Sequence, residues 1–161
     1  MADPQVVAVS GKFRAELANV CKALILEIDA NLREATPVEF GHAHANWVPS
    51  VGTAFVLEAP GSGDAAHVDG VAQVMRFKLG DGDLFEANNV PYIGRLIGGS
   101  SSQAAAGWDL VAIEQAIQTV QGQYDGVTID LSAAIAGAVD ERGGGAAGNV
   151  AGAYSPFGED I

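Results

Sequence analysis

Between Ser10 and Ala35 the apolar residues recur at steps of three and four: Phe13, Leu17, Val20, Leu24, Ile28 and Leu32, with Cys21 and Ile25 widening the stripe. Lys12, Arg14, Glu16, Lys22, Glu27, Asp29 and Arg33 fill the other side. That spacing predicts an amphipathic helix. Ser10 is its expected N-cap and Thr36-Pro37 its stop. At 1.5 Å per residue it would run about 36 Å, long for a chain of this size.

The period then changes. Ala45, Trp47 and Val51 fall on one side of the segment from Ala43, with His44 and Asn46 on the other, which predicts a strand interrupted near Pro49 and confined to an edge or bulged there. Pro60-Gly61-Ser62-Gly63 is a turn or loop signal. Asp64 is the expected cap of a helix over 65–78, with Val68, Val71, Val74 or Met75, and Leu79 as its apolar side. Gly80-Asp81-Gly82-Asp83 turns the chain into a short strand, Leu84 to Asn88. Pro91 ends that strand, and Tyr92 to Ile97 continues as a short extended or helical piece. Gly98-Gly99-Ser100-Ser101-Ser102 reads as a flexible loop, and a last helix over 108–123 carries Leu110, Ile113, Ile117 and Val120.

The expected fold class is therefore α+β, with a long N-terminal and a C-terminal helix on a small antiparallel sheet. Residues 1–124 form the domain. Residues 125–161 form an acidic, Gly/Ala-rich arm, with a possible short helix at Leu131–Val139. A chain of 161 residues supports one core. With 48% hydrophobic and 17% charged residues it is globular and not disordered throughout.

Charge narrows the function classes. The net charge is −12, and beyond Arg95 only Arg142 is basic. Binding to DNA needs clustered cations that neutralise phosphates, so a specific nucleic-acid partner is not expected, although DNA could slide past an acidic wall. No apolar run approaches the ~18 residues of a membrane span. The acidic start, Met1-Ala2-Asp3-Pro4, is unlike a signal peptide. A soluble protein made in a reducing compartment, without a membrane partner, is the expectation. The single cysteine, Cys21, lies on the apolar stripe of the first helix as a small hydrophobe.

Candidate chemistry is sparse. His42 and His44 would point the same way on a strand and are the best metal candidates. Zinc asks for three or four ligands, and His67 is the only other histidine. Gly143 to Gly148 spells G-x-G-x-x-G but lacks the strand and helix that a dinucleotide site requires. Trp47 and Trp108 are expected core anchors. No catalytic residue, cofactor or metal site is assigned, and an enzyme is not expected.

Three stretches carry a resemblance. Thr36-Pro37-Val38-Glu39-Phe40-Gly41-His42-Ala43-His44-Ala45-Asn46-Trp47 is the first, Asn88-Asn89-Val90-Pro91-Tyr92-Ile93-Gly94-Arg95-Leu96 the second, and the run from Gly98 through Gln103 to Trp108 the third. In order and spacing they resemble motifs of the neck and minor tail (tail-completion) proteins of tailed bacteriophages, the group of lambda minor tail protein Z. The likeness covers about Ser10 to Tyr124. It departs from the family pattern at His44, where Arg is usual, at Glu39-Phe40, where Asp-Thr is usual, and at Ala105, where Pro is usual.

The resemblance implies a structural virion protein, made in the host bacterial cytoplasm, that forms a ring at the head–tail junction. Its implied partners are further copies of itself, as a cyclic homo-oligomer, a hexamer, and neighbouring neck, portal-adaptor and tail-tube or terminator proteins. Tail termination or head closure is the alternative role within the virion; a metal enzyme on His42 and His44 is the alternative outside it. Pro37, Gly41, Asn46, Trp47, Asn88, Asn89, Pro91, Tyr92, Leu96, Gly99, Ser100, Gln103 and Gly107 are the implied structural or interface residues.

Overall fold

The computed structural model describes residues 4–38, 41–57 and 64–130. The expectations for Leu131–Val139, for Gly143–Gly148 and for the arm beyond Asp130 lie outside these residues. The architecture is α+β: α1 (Pro4–Ala35), α2 (His42–Ala45), β1 (Trp47–Val51), α3 (Asp64–Arg76), β2 (Leu84–Asn88), α4 (Ile93–Ile97) and α5 (Trp108–Gln123). Among the described residues no helix is long and apolar enough to cross a membrane.

Helix α1 is 32 residues, about 48 Å. It starts six residues before Ser10, at a proline, whose missing N–H costs nothing in a first turn. Ser10 is therefore an exposed interior residue and not the cap. The far end closes as expected: Thr36 N and Thr36 Oγ1 both donate to the Leu32 carbonyl, at 3.0 and 2.6 Å, and Pro37 follows. Phe13, expected on the buried stripe, is 64% exposed. The packed part of α1 begins about a turn later, near Ala18.

The strand expected from Ala43 begins only at Trp47. Gly41 takes a left-handed backbone (φ 78), and its carbonyl accepts from Ala45 N at 3.0 Å. The chain therefore makes one turn of helix before it extends. Pro49 neither interrupts nor bulges β1. It stands opposite Glu86 in an antiparallel register from Trp47↔Asn88 to Val51↔Leu84. Such ladders alternate bonded and non-bonded pairs, and a proline fits only the latter. Its carbonyl then points away from β2, to the open edge of β1, where α3 lies.

Gly70 makes that approach possible. A Cβ on it would come within 2.0 Å of the Pro49 carbonyl oxygen. The buried stripe of α3 is Gly70 and Val74, continued by Phe77 beyond the helix end, while Val68 and Met75, expected on the apolar side, are 62% and 59% exposed.

Helix α5 runs along α1. Its seam is made largely of small residues, with Ala112 and Ala116 buried beside Ile117 and Val120, whereas Leu110 is 36% exposed. Two clusters result. One gathers Leu32, Trp47, Val90, Ile93, Ile97, Trp108 and Ala112. The other gathers Val20, Leu24, Ile117 and Val120, with Tyr124, Val127 and Ile129 packed against it. The packed body thus continues to Ile129, past the expected boundary at 124. Cys21, on α1, is half-buried, and burial raises its thiol pKa.

Candidate functional site

The three motif stretches close on one groove of about 770 Å³. Pro37, Gly41, His42 and Ala43 form one wall, Tyr92, Arg95 and Leu96 of the α4 region another, and Ser100 to Gln103 the rim. Residues some sixty positions apart meet here because the Gln103 side chain pairs with the backbone of Val38 as a strand would. Val38 N donates to Gln103 Oε1 at 2.9 Å, and Gln103 Nε2 donates to the Val38 carbonyl at 3.1 Å.

The loop after α4, expected to be flexible, is folded onto its own chain. Gly107 N donates to the Ile97 carbonyl at 2.8 Å, Ser100 N to that of Arg95 at 3.1 Å, and Gln103 N to Ser101 Oγ at 3.1 Å. Gly99 (φ 84) lies so close to Ala106 that a Cβ would come within 3.0 Å of its nitrogen. Backbone hydrogen bonds and the positive-φ glycines Gly99 and Gly107 together decide the loop's shape.

The other motif residues support the groove from behind. Trp47 is fully buried, its Nε1 donating to Thr36 Oγ1 at 2.8 Å. It meets Trp108 edge to face at 6.4 Å. Asn46 donates to the His42 carbonyl at 2.9 Å and Asn88 to the Ala43 carbonyl at 2.7 Å, so two buried amides hold the α2 turn. Asn88 Oδ1 also accepts from Val90 N at 3.2 Å, and Asn89 Nδ2 donates to the Phe55 carbonyl at 2.6 Å. Pro91 is exposed at the start of the α4 turn. These three asparagines and Trp47 have structural roles; Pro37, Gly41, Tyr92, Leu96, Ser100 and Gln103 are the expected residues that line the groove.

His42 and His44 do not share a face. On a helical turn, residues two apart point about 200° away from each other. His42 lines the groove, while His44 Nδ1 donates to the Arg33 carbonyl. Among the described residues, no three His, Cys, Asp or Glu side chains are placed to hold a metal ion.

Comparison of the chain with protein-family models, curated proteins and solved structures finds no match in any of the three.

Two features escape a reading of the sequence. Among the described residues no carboxylate lines the groove, although the chain carries −12, and Arg95 stands exposed in it. The other is a charge cluster buried between α1, α3 and the sheet. Asp29 Oδ2 lies 2.8 Å from His67 Nε2. Glu86 is 5% exposed, and among the described residues neither of its carboxyl oxygens has a hydrogen-bond partner. Asp29 Oδ1, Arg33 Nη1 and Ser50 Oγ share that condition.

Burial, with Asp29 nearby, pushes the Glu86 carboxyl well above its ordinary value, and Arg33 offsets this only in part. Asp29 is also raised, because desolvation outweighs its contact with His67. Folded Glu86 therefore holds a proton where the unfolded chain has already released its own. Its contribution to stability is fully present below about pH 4.5 and is lost as pH rises through the raised folded value. Glu86→Gln is expected to be more stable than wild type at pH 8, by about 1–4 kcal/mol, and to lose that advantage towards pH 4.5. Urea melts across this range check it; equal pH profiles for the two proteins would refute the buried-acid account.

Proposed function

We propose that the protein is a structural component of a tailed-phage virion, assembling into a ring at the head–tail junction and acting by packing without catalysis. The observation that carries this reading is the meeting of the three family-like stretches in one groove. Stretches that resemble a family at separate places in a sequence have a physical reason to occur together if they build one surface.

The groove also suits a partner of this chain's own character. Its described lining carries no carboxylate and bears Arg95, in a chain of net charge −12. A neighbouring copy that presents an acidic, partly apolar segment would complement it, and a head-to-tail contact of this kind closes into a ring when its rotation permits. Tyr92 and Leu96 give the apolar centre of such a contact, and Arg95 the charged anchor.

Native mass spectrometry of the purified full chain tests this. The expected result is a closed oligomer of single copy number near 150 mM salt. Arg95→Glu should shift it to monomer, with at least a tenfold rise in the dissociation constant and an unchanged circular dichroism spectrum. Because six copies at −12 each would repel strongly, the ring should weaken as salt is lowered. A chain that stays monomeric at every salt and concentration, or a ring indifferent to Arg95→Glu, counts against the reading.

A further inference from the structure

Helix α1 outruns the body it packs on. Residues 8–16 are exposed, yet the apolar stripe does not stop where packing stops. Val9, Phe13, Leu17, Val20 and Leu24 follow one another at steps of four, four, three and four, so Val9 and Phe13 continue the face that is buried at Val20 and Leu24. At 70% and 64% exposure they are uncovered among the described residues.

The described chain ends beside this place. After α5, Val127 and Ile129 pack against the Val20–Leu24 cluster, and the described residues end at Asp130. From Val20 back to Phe13 is about 10 Å along the helix, which three extended residues span. The sequence that follows is Leu131-Ser132-Ala133-Ala134-Ile135-Ala136-Gly137-Ala138-Val139, without a charge, bracketed by Asp130 on one side and Asp140-Glu141 on the other. Lys12, 4.0 Å from Glu16, is the cation beside this face, and it is opposite in sign to those bracketing acids, while Arg14 donates to the Leu79 carbonyl at 3.3 Å.

We infer that residues 131–139 dock in the same chain on the Val9–Phe13 face of α1. The inference is independent of the ring: it concerns how one chain covers its own helix.

Hydrogen exchange on the full-length protein at two concentrations tests it. The amides of residues 8–17 should be protected to the same degree at both, and should exchange about tenfold faster in Ile135→Asp, with those around Leu24 and Val120 unchanged. A second measurement uses Glu16→Cys with Ala134→Cys in a Cys21→Ser background. Mild oxidation should close a disulfide within the monomer, since such a bond needs Cα atoms within ~7 Å. Exchange at 8–17 that is indifferent to Ile135→Asp overturns the inference. So does protection that grows with concentration, or a disulfide formed between chains, either of which would make a second copy the occupant.

Discussion

Trp47→Ala is expected to remove about 3–5 kcal/mol of stability, a large share of the ~5–15 kcal/mol that a folded domain holds. Trp47 is 0% exposed at the centre of the cluster that joins α1, the sheet and α4. Its loss opens a cavity that Leu32 and Ile93 cannot fill without moving the elements they anchor. Trp108 loses its edge-to-face partner, a contact worth about 0.5–1.5 kcal/mol beyond its area. Thr36 Oγ1, which also caps the α1 terminus, loses the indole donor. Urea unfolding followed by the fluorescence of Trp108, the other tryptophan, measures the effect. Trp47→Phe, which keeps a ring but no N–H, should lie between alanine and wild type. A loss below about 1 kcal/mol for the alanine variant would mean that this cluster is not the keystone described.

Gly70→Ala should be nearly as damaging, about 3 kcal/mol, although alanine is ordinarily the better helix former by about 1 kcal/mol. The two effects oppose each other, and the geometry decides between them. The added Cβ would sit 2.0 Å from a backbone oxygen, that of Pro49, and neither partner is a side chain that can swing aside. Helix α3 must lift off β1, which uncovers Val74 and Phe77. The same urea experiment reads it, and a variant as stable as wild type would show that α3 does not rest on the strand edge. Gly11→Ala, at an α1 glycine with open space around it, is the control that separates helix propensity from contact.

That glycine also shows what a sequence can and cannot disclose here. Order and type of the larger elements follow from period, because a stripe such as Leu17 to Leu32 has one cheap solution. The seams follow only in part: Val74, Ile117 and Val120 are buried as their spacing predicts. Helix α3 packs through Gly70 and α5 through Ala112 and Ala116, residues a search for large apolar side chains passes over, while the conspicuous Val68, Met75 and Leu110 face outward. In β2, Leu84, Glu86 and Asn88 alternate with Phe85 and Ala87, which suggests a wet face and a dry one. Residues opposed in the register share a face, so Glu86 and Asn88 lie with Pro49 and Trp47 on the side under α1. The buried acid was thus visible as a residue and invisible as a site. For the groove, the motif stretches named most of the lining in advance. That its described lining holds no carboxylate becomes evident only once Gln103 is seen to tie the third stretch to the first.

The pairing of α1 with α5 bears on how the chain is made. Val20 and Val120, a hundred residues apart, meet in one cluster. At roughly 5–20 residues per second, a ribosome that has released α1 needs about 5–20 s more to deliver its principal partner. During that interval an amphipathic helix of nine turns has its apolar stripe unmatched. Synthesis thus passes through a period in which α1 offers a binding face to chaperones or to other nascent chains, and slowing elongation before Trp108 should lengthen it and raise the aggregated fraction.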